Sequence, residues 1–442
     1  MPAVAGERSD TQDTTRPGSA GDGDAGRPGL LQVWRDGGAL SRGVPVGAGV
    51  TLGRGSPPAL ALDDARISRE HCEVGHDGAS WRVRDLESRN GTFVDGVRSR
   101  GEALRIGPRC VRIGHCLLLP LAPLRGDVAL EDGLVVGPGL RAVRAAIAAA
   151  AAIGRTLLVG GETGAGKEIA ARHFHRSGPT AAGPFVPVNC AAIPNELAER
   201  LLFGTVRGAY SGAIAAADGY VQAADGGVLF LDEIGELDLE IQAKLLRFLE
   251  TGEVYPIGAT RPRRVDVRVC LATHRDLRAM VRGRRFREDL YFRIAQPQVT
   301  LPPLRERPEE IPWHVEQALA GLGGGLNAHA LLVEACLLRQ WPGNVRELRA
   351  AAQAAALQAH SAGRRRVEVE DLAADVGLAL DDAQDGVIVA ADHLADRQQV
   401  LAALGAEGGN IARTARALGV HRNQLRRWLA QQAIDPRALP EG

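Results

Sequence analysis

The sequence predicts a multidomain protein: an N-terminal β-sandwich, a central α/β unit with an α-helical lid, and a C-terminal all-α helix-turn-helix. Three observations predict it. Short β-like runs separated by glycine-containing turns fill residues 29–121. From Gly133 onward, apolar strands alternate with helices, which is the pattern of a parallel sheet covered on its faces. Residues 392–434 are again helical in pattern and change charge sharply. A chain of 442 residues is too long for one core and suits two or three domains.

Taken in order, residues 1–28 are Gly, Pro, Ser, Thr and Asp with little to bury, and a disordered tail is expected there. The strands of the sandwich read as Leu31–Trp34, Val50–Leu52, His71–Val74, Ser80–Val83, Thr92–Val94, Arg109–Ile113 and Cys116–Leu119. Residues 122–132 read as a linker. In the α/β unit, 133–305, a helix over Leu140–Ala152 precedes the strand Thr156–Val159, and Glu168–His175 forms the next helix. Phe185–Val188, Val228–Leu231 and Val267–Ala272 read as further buried strands. Residues 306–376 are almost purely helical in pattern and form the lid. Residues 377–391 are a loose acidic linker, and 435–442 a tail.

Composition excludes several classes. The net charge of +0 provides no global attraction to nucleic acid, so DNA binding requires a local patch. The six cysteines form no CxxC pair and no zinc-like cluster, and read as reduced core thiols. The Ala-rich run before Arg155 is about fifteen residues long, short for a membrane span. The N-terminus is polar and acidic rather than signal-like, so no membrane role and a cytoplasmic location are expected.

Two motifs carry chemistry in the central unit. Gly161, Glu162, Thr163, Gly164, Ala165, Gly166 and Lys167 follow an apolar strand and precede a helix. Glycines there let backbone N–H groups turn inward on a phosphate, and the helix N-terminus adds its positive dipole end. Lys167 is one of only two lysines in the chain and would reach the β- and γ-phosphates. The buried run Val228–Leu231 ends in Asp232 and Glu233. Asp232 suits a magnesium ion, and Glu233 suits the orientation or deprotonation of an attacking water. Glu168 stands where a Ser or Thr commonly holds that metal.

With these residues in place, 133–376 closely resembles the AAA+ module of sigma-54-dependent bacterial enhancer-binding activators. The likeness runs through Val188–Pro194, Leu202–Gly204, Ala224–Gly227, Phe286–Arg293, Leu301–Arg307 and Trp341–Leu348. It implies ATP and Mg2+ as cofactors, Glu168 as the usual residue after the lysine, and a ring, expected to be a hexamer. It also implies that Asn189 switches Glu233 between resting and active positions. Arg287 and Arg293 would act as arginine fingers on a neighbour's ATP, and Arg346 would sense the γ-phosphate from the lid. Gly208, Ala209, Tyr210, Ser211, Gly212 and Ala213 match the loop that grips sigma-54, with Tyr and Ser where Phe and Thr are usual. His274 stands where Asn is common.

At the N-terminal end, Gly53-Arg54, Ser68-Arg69-Glu70-His71 and Ser88-Arg89-Asn90-Gly91-Thr92 fall on loops of the sandwich, where two arginines, a hydroxyl and an amide can converge on a phosphate. These blocks resemble a forkhead-associated (FHA) domain. The resemblance implies that Arg54, Ser68, Arg69 and Asn90 contact a phosphothreonine peptide, with His71 and Gly53 supporting the loops. That peptide would come from a partner or from the protein's own tail (Thr11, Thr14, Thr15), although a plain solvated tail explains the same residues. At the other end, Asn410–Gln431 carries five arginines and no acid, as two helices around Gly419. It resembles the Fis-type DNA-binding domain, which implies DNA contacts from Arg422, Asn423, Gln424, Arg426 and Arg427. Together these features imply an activator that binds upstream enhancer DNA and remodels the sigma-54 RNA polymerase closed complex. Two alternatives stay open: a nucleotide-sensing DNA-bound adaptor or repressor that does not hydrolyse ATP, and an AAA+ ATPase with another remodelling target.

Overall fold

The computed structural model describes residues 26–379, apart from 100, 106, 125, 132, 210–214 and 323–324, together with residues 404 and 414. The helix-turn-helix reading, its five DNA-contact residues, the tail threonines and Tyr210–Ala213 therefore lie outside the described residues.

The N-terminal domain is a sandwich of two antiparallel sheets. One has six strands in the order Gly38–Pro45, Gly29–Arg35, Cys116–Leu121, Val111–Ile113, Thr92–Val94, Val97–Arg98. The other has four, in the order Val50–Leu52, Cys72–His76, Trp81–Asp85, Glu102–Arg105. Leu30, Leu52, Val74, Val83, Ile113 and Leu118 fill the space between them. Gly29–Arg35 and Cys116–Leu121 are buried on both faces, which a sheet with one face in water would not require. Their inward residues Leu30 and Leu118 belong to the sandwich core, whereas Leu31, Val33, Leu117 and Leu119 belong to the core of the helical lid. Side chains alternate across a strand, so one run of apolar residues serves two cores.

The central sheet has five parallel strands in the order Phe185–Asn189, Val228–Asp232, Arg268–Thr273, Thr156–Gly160, Gln298–Thr300. Val228–Leu231 and Val269–Ala272 are wholly buried, which explains their unbroken apolar reading. The first helix runs Pro138–Ile153 with proline at its start, and the next runs Lys167–Ser177. The segment read as a linker ends in structure: Ala129–Glu131 pairs with Leu134–Val136 as a hairpin against the first helix.

The lid consists of the helices Ile311–Ala320, Ala330–Leu338 and Asn344–Ser361. A two-residue parallel pairing, Asn327–Ala328 with Arg366–Val367, interrupts the helical pattern expected there. Ala330–Leu338 is apolar almost all round, as suits a helix buried between two bodies. Trp341 is fully buried at the lid's centre and donates its indole N–H to Cys336 O at 2.7 Å. All six cysteines are buried free thiols.

Candidate functional site

The carboxyl ends of three adjacent strands bring the site together. Thr156–Gly160 leads into the glycine loop, Val228–Asp232 delivers Asp232 and Glu233, and Arg268–Thr273 between them delivers Thr273 and His274. The loop's conformation needs glycine at two close positions. Gly166 has φ +108° and Gly164 has φ +75°, and a Cβ on Gly164 would stand 2.1 Å from Gly343 O of the lid. Lys167 opens the following helix, is buried, and donates to Gly161 O at 3.1 Å. Its Nζ lies 3.4 Å from Glu233 Oε1.

Electrostatics separate the two acids. Burial, and then the charge of Glu233, push the Asp232 carboxyl above the usual range, with Lys167 opposing. Burial also raises Glu233, but the hydrogen bond from His274 and the nearby Lys167 outweigh it and hold the carboxyl below its ordinary value. His274 Nδ1 stands 2.7 Å from Glu233 Oε2. Glu233 itself adopts φ +54°, a left-handed conformation that costs a non-glycine residue of order 1 kcal/mol or more. Asn189 sits beside Asp232 in the strand register. Its side chain accepts from Ala191 N at 3.0 Å, and the groups holding Glu233 are His274 and Lys167. No hydrogen bond joins Asn189 to Glu233 in this conformation.

The lid closes over the loop. Asn344 donates to Glu162 Oε2 at 3.1 Å and to Thr163 O at 3.0 Å, and Arg305 forms a two-pronged pair with Glu162 at 2.8 and 2.9 Å. A cleft of 380 Å³ lies beneath. Its lining divides into a polar set, Gly164–Lys167, Asp232, Glu233, Arg346 and Arg349, and an aliphatic set, Leu134, Val135, Val136 and Val143. This division suits a nucleotide, with phosphates at the glycine loop and a flat base against aliphatic side chains. Glu168 also lines the cleft, and its carboxylate takes Arg172 at 2.7 Å. No cluster of three or more His, Cys, Asp or Glu that could hold a metal occurs among the described residues. A magnesium ion arriving with phosphates fits this donor set, because it needs only one or two carboxylates from the protein.

Arg287 and Arg293 do not line this cleft. Arg287 pairs with Asp289 at 2.7 Å and Arg293 donates to Leu249 O at 2.8 Å, both away from the chain's own cleft. Gly208 and Ala209 stand on a stem closed by Thr205 N to Ala217 O at 2.8 Å and Ala217 N to Thr205 O at 3.0 Å. Sequence reasoning missed Arg307, a fully buried residue beneath the loop. It donates to Ala165 O at 3.1 Å and to Glu310 at 2.5 Å. It also passed over Arg305 and Asn344; all three lie inside motifs already quoted, but nothing in their types marks them as a clamp.

In the sandwich, Arg54, Ser68 and Arg69 line one open cleft together with Arg66 and Arg89, two arginines not expected there. Asn90 reaches the same rim, donating to Arg66 O at 2.7 Å. Gly53 and His71 are structural, as expected. A Cβ on Gly53 would fall 1.7 Å from Arg69 O, and the His71 ring bridges Ser68 N at 3.1 Å and Gly91 O at 3.2 Å.

Fold and cleft thus define a nucleotide-binding protein of the phosphate-loop class with a helical lid. The family model described as the sigma-54 interaction domain matches residues 136–300, that of the FHA domain 50–114, and that of the bacterial regulatory protein, Fis family, 394–431. The chain belongs to the family of sigma-54-dependent enhancer-binding activators. It is 42% identical over 305 residues to the nitric oxide reductase transcription regulator NorR2 of Cupriavidus necator, covering 61% of this chain and 57% of that one. It is 40% identical over 310 residues to the Nif-specific regulatory protein of Azotobacter vinelandii, covering 68% and 59%. The chain thus spans between 50% and 62% of the length of these curated relatives. The crystal structure of NtrX from Brucella abortus in complex with ATP matches at TM-score 0.51 and 30% identity, covering 69% of this chain and 70% of that one.

Proposed function

We propose that this protein hydrolyses ATP to activate transcription from sigma-54 RNA polymerase. The observation that carries this reading is the meeting of Lys167, Asp232, Glu233 and the lid residue Arg346 in one cleft, within the region matched as a sigma-54 interaction domain. Lys167 and Arg346 would hold the β- and γ-phosphates, and Glu233 would take the proton of the attacking water. Asp232 would hold Mg2+, which supplies charge neutralisation on the transferred phosphoryl group. Arg287 and Arg293, outside the lining of their own cleft, suit a neighbour's γ-phosphate, so hydrolysis would require a ring of copies, most simply a hexamer. Tyr210–Ala213, carried on the Thr205–Ala217 stem, would engage sigma-54 and remodel the closed complex. The Fis-type segment would hold the assembly on upstream enhancer DNA through Arg422, Asn423, Gln424, Arg426 and Arg427. The arginine cleft of the FHA domain would read a phosphothreonine peptide from a partner or from the chain's own tail. No helix among the described residues is long and apolar enough to cross a membrane, and a cytoplasmic site of action suits a polymerase partner.

The decisive test mixes the full chain with sigma-54, ADP, Mg2+ and a metal fluoride that mimics the transferring phosphoryl group. A trapped complex that disappears on Ser211→Ala or Lys167→Ala supports the proposal. Hydrolysis with no trapped complex would assign the motor to another target, and absence of both would leave a nucleotide-sensing adaptor.

A further inference from the structure

We propose that the FHA domain and the ATPase lid act as one body, so that the docked sandwich sets how the lid meets nucleotide. The proposal rests on the reading of the central cleft as a nucleotide site.

The seam between the two is built like an interior. Leu31, Val33, Cys110, Leu117 and Leu119 of the sandwich share one buried cluster with Val315, Leu319, Val333 and Leu337 of the lid. Both contributing strands carry apolar residues on both faces, which a sandwich free in solution would leave as an uncovered patch. A buried ion pair fixes the register: Arg112 Nε lies 2.7 Å from Glu334 Oε2, with side chains only 13% and 6% exposed. Around it, Arg109 donates to Leu338 O at 2.7 Å, and Ala39 N to Glu316 Oε2 at 3.3 Å. Breaking one member of such a pair leaves the other charge buried without its partner.

The FHA domain meets the lid helices through its six-stranded sheet, while the residues that line the arginine cleft are not members of the shared apolar cluster. Docking and phosphopeptide binding are therefore compatible. The two meet at Asp36, which pairs with Arg366 of the lid at 3.4 Å and lies 3.9 Å from Arg66 in the cleft wall. On its other side the lid contributes Arg346 and Arg349 to the nucleotide cleft and Asn344 to the phosphate loop. A lid held in this pose is preorganised for nucleotide, and a lid released from the sandwich has more poses to lose on binding.

The test uses the full chain in three forms: unaltered, Arg112→Glu, and the charge swap Arg112→Glu with Glu334→Arg. Two quantities are measured: affinity for a fluorescent ADP analogue, and hydrogen exchange across Ala330–Leu338. Arg112→Glu places like charges at the seam. The expected result is faster exchange in that helix and affinity weaker by about fivefold to tenfold, both largely restored by the swap. Exchange within Cys72–Asp85 should stay unchanged, which separates seam opening from collapse of the sandwich. Unchanged exchange in Ala330–Leu338 would overturn the single body. Faster exchange with unchanged affinity would overturn the coupling. If the unaltered chain binds no ADP analogue, while exchange still responds, the nucleotide reading fails and with it the coupling; the shared body stands on exchange alone.

Discussion

Arg307 gives the sharpest energetic test of how the site is built. Its side chain is 2% exposed and that of Glu310 is 0%, and the two meet at 2.5 Å beneath the phosphate loop. Arg307 also donates to Pro302 O and Ala165 O, and the second oxygen of Glu310 accepts from Gly137 N at 2.9 Å. Arg307→Met keeps much of the packing volume but leaves the buried carboxylate with only His314, 3.8 Å away and disfavoured as a cation by burial, beside it. Removing one partner of a buried pair costs about 3–5 kcal/mol. For a unit of this size each kcal/mol lowers the midpoint by roughly 2–4 °C, so a fall of about 10 °C is expected. Adding Glu310→Gln removes the stranded charge while keeping the acceptor for Gly137, and should recover about half of the loss. Calorimetry on the full chain, following the transition that ATP shifts upward, measures both. A loss below ~1 kcal/mol for the single variant, or a double variant no more stable than the single, would refute the account of an obligatory pair.

Three further outcomes follow from the same geometry. Glu233→Gln should lower the ATP hydrolysis rate by at least ~100-fold with nucleotide affinity held within about threefold, because the acid sits at the reacting end rather than the binding end of the cleft; equal losses of both would remove its assigned role. Gly164→Ala forces a Cβ onto Gly343 O and a left-handed backbone onto alanine, so equilibrium binding of ATP should weaken by ~10-fold or more as the lid is displaced from the loop. Burial holds His71, His314 and His329 below the ordinary histidine value. The folded state therefore binds fewer protons than the unfolded one, so their contribution is complete above about pH 6.5 and declines as pH falls below it. The thermal midpoint should drop between pH 7.5 and 5.5, and a rise over that interval would contradict the sign.

The parts of the site that local sequence could reveal are those whose chemistry is set within one segment. A glycine loop between strand and helix has few other uses, and Asp232-Glu233 at the end of a buried strand stands beside it once the sheet is parallel. Boundaries were less legible where partners lie further along. Ala129–Glu131 belongs to a hairpin whose other strand, Leu134–Val136, begins beyond the expected linker. Arginine roles were the least legible. In a chain with 53 lysines and arginines, of which two are lysines, residue type alone cannot separate Arg307 in the interior from Arg293 on the surface.

The seam between sandwich and lid shows a different limit, because its signal was present and pointed to something not yet assembled. Leu30–Trp34, interrupted only by Gln32, and Cys116–Leu121 carry apolar residues on both faces, too many for strands with one face in water, and Ala330–Leu338 is too uniformly apolar for a helix with one face in water. Each excess is unexplained inside its own domain. Placed against one another they account for each other, and Arg112 and Glu334, unremarkable in sequence, become the pair that fixes their register. Local propensity is satisfied in both domains separately, so what decides their joining is the apolar surface left over after each has filled its own core. The same reasoning makes the 442-residue chain, sandwich included, the right material for every measurement above: a central fragment cut from its sandwich would carry Val315, Leu319, Val333 and Leu337 on a face that no longer has a cover.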